Sequence, residues 1–157
     1  MSSRTQNEED LRAALRSNYY TLMTLEEIES QLPPHQRDSI STGVLPDGRY
    51  FAPRYLNQYF CVFANRYAYI LYFVEHYFSH INIGRSGAIH ALMDLYNSVP
   101  LEMVVTANRL ASVHVTQYEL SFVISLYSHD LMIVTDVFGR KYVKRRDNFN
   151  GNISMPL

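Results

Sequence analysis

The 157 residues carry a net charge of -1, with 18% charged side chains, 13 Tyr, 8 Phe and no Trp. A hydrophobic share of 47% excludes disorder throughout, and near-neutrality restricts any nucleic-acid binding to a local patch instead of a global field. The single cysteine, Cys61, excludes an internal disulfide and a cysteine zinc cluster.

The chain begins MSSRTQNEED, which lacks the apolar core of a signal peptide, and no run of about 18 apolar residues follows. The expectation is a nuclear or cytoplasmic protein with no membrane partner. Glu8, Glu9 and Asp10 precede Arg12 and Arg16, and Leu11, Ala14, Leu15 and Leu22 share a side, so the pattern predicts an amphipathic helix from Asn7 to about Tyr20. Thr24-Leu25-Glu26-Glu27 is a capping box that starts a short helix ending before Pro33-Pro34. Residues 33 to 53 read as loop, with Asp47-Gly48 turning a small hairpin between Val44 and Phe51.

A long helix is predicted from about Tyr55 to Ser79. Phe63, Tyr67, Leu71, Val74 and Phe78 form an apolar stripe on it. Arg66, Tyr69, Phe73, His76, Tyr77 and His80 form a second row of polar-tipped rings, which a core alone does not need. Ser86 caps a helix from Gly87 to about Asn97, Pro100 opens another over PLEMVVTANRLASV, and Thr116 caps a third through about Ser128. The buried face of that last helix is Leu120, Val123, Ile124 and Tyr127. The period then changes to strands at 131–134 and 141–144 around an Asp136–Gly139 turn. Helices followed by a hairpin are the order of a winged helix. The tail from Asp147 is polar and rich in Asn.

The segments YFVEHYFSHINIGRS, VPLEMVVTANRLASV and VTQYELSFVISLYSHDLMIVTDVFGRKYVKRR resemble the La motif of La and La-related proteins. The resemblance covers roughly residues 66 to 147. Its most specific matches are Tyr77-Phe78 followed by Asn82 and Arg85, Val99-Pro100-Leu101-Glu102, Asn108-Arg109-Leu110 and the Thr116-capped helix leading into a basic wing. The resemblance implies an RNA-binding winged helix that holds an RNA 3′ end in a cleft beside the wing. Positions that are usually Gln, Tyr-Tyr-Phe, Asp with Phe two places on, and Phe carry Phe73, His76-Tyr77-Phe78, Ser86 with Ala88, and Ala107 here. Of these only Tyr77 and Phe78 keep the family's rings, so non-standard recognition is expected, not that of an oligouridylate 3′ end.

The expected fold is therefore α+β and mostly helical, a La-motif-like winged helix-turn-helix at residues 53–147 with a helical N-terminal extension at 1–52 and a flexible tail at 148–157. In the family an RNA-recognition domain usually follows; none follows within this sequence, so the expectation is either that it lies beyond these residues or that the module depends on partner proteins of a ribonucleoprotein. The residues expected to contact RNA are Tyr69, Phe73, His76, Tyr77, Arg85, Asn108 and Arg109 in the cleft, with Arg140, Lys141, Lys144, Arg145 and Arg146 on the wing. Those last five put five cations into seven positions. An edge strand can carry such charge simply to prevent aggregation. The His76-x3-His80 pair beside Glu75 resembles a metal site only loosely, so no metal is expected; no cofactor, small-molecule substrate or catalytic pairing is expected either. The competing expectation is a degenerate La motif acting as a protein-interaction or assembly domain of a ribonucleoprotein, such as a small noncoding RNA or telomerase-type complex.

Overall fold

The computed structural model describes residues 20–37, 40–54, 59–78 and 97–146. The helix expected before Tyr20, the one expected over 87–97 and the tail lie outside them. The chain divides into two compact units, Met1–Tyr69 and Ile70–Leu157. The described residues form an α+β structure with two antiparallel sheets of four and three strands, so helices do not dominate as the sequence pattern implied. No helix among them is long and apolar enough to cross a membrane.

The first unit is built on the sheet β1 (Thr21–Thr24), β2 (Gly43–Val44), β3 (Tyr50–Pro53) and β4 (Tyr59–Phe63), in the spatial order β1-β4-β3-β2. α1 (Leu25–Gln31) starts at the predicted capping box: Thr24 Oγ1 accepts the Glu27 N–H, and Glu27 Oε1 accepts the Thr24 N–H. Helix and sheet enclose a core of Met23, Ile28, Leu32, Leu45, Phe51, Phe60 and Val62. The hairpin expected at Asp47-Gly48 forms, pairing Val44 with Tyr50 and Gly43 with Phe51. Gly48 takes a φ of 95°, and a Cβ on Gly43 would come within 2.9 Å of the Phe51 ring.

Here the long helix predicted from Tyr55 is corrected. Residues 59–63 are the strand β4, which pairs β1 on one side and β3 on the other, so Phe63 does not share a helix with Tyr67. The cause is burial on both faces. Phe60 and Val62 enter the core just described, while Phe63 packs on Tyr20 and Tyr69 at ring distances of 5.8 and 5.5 Å. A central strand with two buried faces reads as a continuous apolar run, which periodicity cannot tell from a buried helix. The helix begins later, as α2 (Arg66–Tyr77), where Asn65 Oδ1 accepts the Ala68 N–H at 2.9 Å and caps the first turn. A boundary at residue 52 would cut β3 from its neighbour β4.

The second unit contains the sheet β5 (Val99–Pro100), β6 (Leu131–Thr135) and β7 (Lys141–Arg145), ordered β5-β7-β6, and the helices α3 (Leu101–Val104), α4 (Asn108–Ala111) and α5 (Gln117–Tyr127). The single helix predicted from Pro100 is two short ones. The run Val104-Val105-Thr106 is β-branched, and Thr106 Oγ1 donates to the Met103 carbonyl at 2.6 Å, which competes with helix continuation. Leu101, Val104, Leu110, Leu120, Val123, Ile124, Leu131 and Val143 are buried. Thr116 caps α5 as expected, its Oγ1 accepting the Glu119 N–H at 3.1 Å. The β6–β7 turn is fixed by Asp136, whose Oδ1 accepts the Phe138 and Arg140 N–H groups, both at 2.9 Å. Gly139 completes that turn with a φ of 84°.

Candidate interaction site

The aromatic and cationic residues expected to bind RNA fall into three environments. Tyr69 is fully buried in the first unit, with Phe63 at 5.5 Å and Tyr50 at 5.6 Å, so it offers no ring face to a ligand. Its apolar body completes a core, and the helical spacing that aligned it with Phe73 and Tyr77 did not predict which neighbours would meet it.

In the second unit, Tyr77 and Arg109 come together from two of the segments that carry the La-motif resemblance. The Arg109 N–H donates to Tyr77 Oη at 3.0 Å, and the Arg109 guanidinium lies 5.8 Å from the centroid of the Phe73 ring. Burial raises the Tyr77 hydroxyl above its ordinary value, against the opposing effect of the Arg109 amide and charge. Phe73 is buried and meets Tyr72 edge-on at 5.1 Å, while His76 stacks parallel to Tyr72 at 6.1 Å. His76, Tyr77 and Arg109 are half-buried and Asn108 is exposed. Arg85 lies outside the described residues, as do His80, Ser86 and Ala88. Among the described residues no group of three or more His, Cys, Asp or Glu could hold a metal ion.

The basic residues on and beside β7 meet different surroundings. Arg145 is buried, and its Nε and Nη2 donate to the Phe78 carbonyl at 2.8 and 2.6 Å. That carbonyl stands just past the end of α2, where backbone acceptors lose their helical partners, and a guanidinium supplies the missing donors. Arg146 Nη2 donates to the Ser128 carbonyl at 3.2 Å and is partly buried. Both arginines therefore serve the fold where free phosphate contacts were expected. Arg140 donates to the Glu102 carboxylate, and its guanidinium lies 5.6 Å from the centroid of the Tyr142 ring. Glu102 holds the Arg140 guanidinium above its ordinary value, first through the side-chain hydrogen bond and then through its charge. Lys141 is exposed, its Nζ donating to Thr135 Oγ1 at 3.3 Å, and Lys144 is half-buried.

A different surface stands out. Beside α5 and the β6–β7 turn lies an open groove of about 730 Å³, lined by Leu101, Tyr118, Phe122 and Leu126, with Arg140 and Lys141 at its edge. Tyr118 is 83% exposed and Leu126 48%, four-residue steps along one helix face from Phe122. On the adjoining turn Val137 and Phe138 are 92% and 90% exposed. Sequence reading assigned α5 its buried face, of which Leu120, Val123 and Ile124 are indeed buried. It passed over the opposite stripe, although the signal was present: Tyr118, Phe122 and Leu126 repeat at helical spacing outside that face. Scattered exposed apolar residues are ordinary, whereas a contiguous set flanking a groove is a candidate surface for binding.

No protein-family model matches this chain, and neither does any curated protein or solved structure.

Proposed function

We propose that the second unit is a winged-helix module, divergent from the La motif, that works as a protein-interaction domain in an assembly and has no catalytic role. Support for the winged-helix reading comes from the element order: α2, then the short strand β5, then α3 to α5, then a β6–β7 hairpin whose second strand takes β5 as its other neighbour. In that reading α5 occupies the position of the recognition helix and the β6–β7 turn is the wing. Kinship with the La motif draws support from the meeting of Tyr77 with Arg109, two of the residues on which the resemblance rests.

The observation that carries the interaction role is the chemistry of the exposed surface of α5 and the wing. Tyr118, Phe122, Leu126, Val137 and Phe138 are apolar or aromatic, and interface cores are enriched in such side chains and depleted in charge. Meanwhile the guanidiniums of the three expected wing arginines have acceptors within the fold, Arg140 on Glu102, Arg145 on Phe78 and Arg146 on Ser128. A nucleic-acid surface gains its affinity by neutralising phosphates, and those guanidiniums are already directed elsewhere.

RNA binding is the second reading, favoured by one feature: the exposed ring of Tyr118 lines the same groove as Lys141, the pairing of stacking face and cation that single strands use. A photo-crosslinking amino acid at Tyr118, with one at exposed His35 as control, separates the two. The interaction reading expects protein adducts at 118, absent at 35 and lost when Phe138→Ser is added. RNA adducts at 118, together with a salt slope of about -0.7 per phosphate neutralised, would favour the second reading, and the absence of any site-specific adduct would sink both.

A further inference from the structure

We infer that the groove beside α5 receives the wing tip of a second copy of this chain, so that two wings exchange across a two-fold axis. The inference rests on the interaction reading above and names its partner. Both halves of such a contact are present on one unit. The knob is Val137–Phe138, about 90% exposed at each residue and therefore not inserted in its own groove. The socket is the groove in which Leu101, Tyr118, Phe122 and Leu126 supply apolar surface between the polar Gln117, Ser121 and Ser125; its volume of about 730 Å³ is that of a pocket able to take a drug-sized ligand, ample for a valine and a phenylalanine.

Knob and socket are contiguous, because Gly139, Arg140 and Lys141 immediately follow Phe138 and line the groove. Contiguity is what an isologous interface requires: each copy gives and receives through one self-complementary patch, and the contact closes at two subunits. A knob placed far from its socket favours a heterologous contact instead, which closes into a larger ring or builds an open chain. The knob is also preorganised. Asp136 Oδ1 holds the Phe138 and Arg140 amides, and the Gly139 N–H donates to the Asp136 carbonyl at 3.0 Å, so little turn entropy is lost on docking.

Of the charged groups that line the groove, Glu102 and Arg140 pair with each other within one copy, and Lys141 adds a single positive charge beside them. The apolar side chains named here expose on the order of 600 Å² per copy, taking about 150 to 250 Å² for each fully exposed aromatic ring. With a polar rim that approaches the roughly 800 Å² per partner of a standard interface.

Sedimentation of the full chain over a concentration series tests the inference. The wild type is expected to dimerise with a Kd in the range of about 1 to 100 μM. Phe138→Ser, which removes the knob, and Leu126→Arg, which blocks the socket, should each weaken the dimer at least tenfold while leaving circular dichroism and melting temperature unchanged. An equimolar mixture of the two variants should associate more tightly than either alone, because one intact knob then meets one intact socket. A wild type that stays monomeric to about 1 mM, or a dimer that neither variant weakens, overturns the inference. Protein adducts at position 118 from a chain that sediments as a monomer would retain the interaction reading while refuting the second copy. A monomer with no adducts would refute both.

Discussion

Replacing Arg145 with alanine separates a fold role from a ligand role at the residue where sequence and structure disagree most. Arg145 is 8% exposed and gives two N–H groups to the Phe78 carbonyl, at 2.8 and 2.6 Å. A hydrogen bond from a charged group contributes about 1.5 to 3 kcal/mol, and a buried carbonyl left without its donor costs about 1 to 3 kcal/mol. These effects overlap, since both report the same carbonyl, and loss of the packed side-chain stem adds to them. We put the net destabilisation by Arg145→Ala at about 3 kcal/mol. At about 2 to 4 °C per kcal/mol for a chain of this size, the melting temperature should fall by about 6 to 12 °C. Arg145→Lys keeps the charge but not the planar fork, so it should recover only part of the loss. Lys141→Ala, at an exposed position, should stay within about 0.5 kcal/mol of the wild type. Thermal melts followed by circular dichroism suffice. An Arg145→Ala variant melting within about 2 °C of the wild type would refute the fold role and return this cation to the surface.

Two further outcomes follow from the same geometry. Ser128 Oγ donates to Glu75 Oε2 at 2.7 Å and accepts the Leu131 N–H at 3.0 Å, so Ser128→Ala leaves a buried amide unpaired at the start of β6. Its expected cost is about 1 to 3 kcal/mol, and a double-mutant cycle with Glu75→Gln should show coupling above about 0.5 kcal/mol; strictly additive losses would break the chain of contacts. Asp136 lies below its ordinary value of 3.8: desolvation pushes it up, but the Arg140 and Phe138 amides and the Tyr142 hydroxyl hold it down more strongly. A depressed carboxyl stabilises the turn above the unfolded value and loses that contribution as pH falls through the folded one. Amide protection factors at Phe138 and Gly139, corrected for the intrinsic exchange rate, should therefore fall in acid below pH 3.8, less so in Asp136→Asn, and an NMR titration that places Asp136 at or above 3.8 would contradict this.

Where a local signal determined the outcome, the sequence was readable. Thr24 and Thr116 cap helices because a side-chain oxygen meets an amide three residues on, a relation independent of the rest of the chain. The Asp47-Gly48 turn and the 131–145 hairpin formed for the same kind of reason. β4 was illegible because Phe60–Phe63 is buried on both faces, by the first unit's core on one side and by Tyr20 and Tyr69 on the other, between two partner strands from elsewhere in the chain. Tyr69 was misplaced with it: helical spacing says which residues share a face and not what covers that face. The fate of Arg145 was hidden for another reason. Its acceptor is a backbone carbonyl 67 positions earlier, and a carbonyl has no residue type to read.

The contrast between α5 and β7 bears on what kind of partner the second unit meets. On β7 and just beyond it the sequence concentrates positive charge, yet the carbonyls of Phe78 and Ser128 accept from two guanidiniums, and Glu102 accepts from a third at the turn before it. The exposed Arg140–Glu102 pair itself adds little stability, since both side chains are more than half exposed; its consequence is that the wing's base is locally neutral. On α5 the helix has apolar residues on two faces, one meeting the core through Leu120, Val123 and Ile124 and the other meeting solvent through Tyr118 and Leu126. Folding accounts for the first face only. Polar side chains would serve a purely solvated face better, and lysines or arginines would serve a phosphate-binding face better. Rings and an aliphatic side chain around a groove, next to a turn of valine and phenylalanine, are the chemistry on which the proposed protein contact rests.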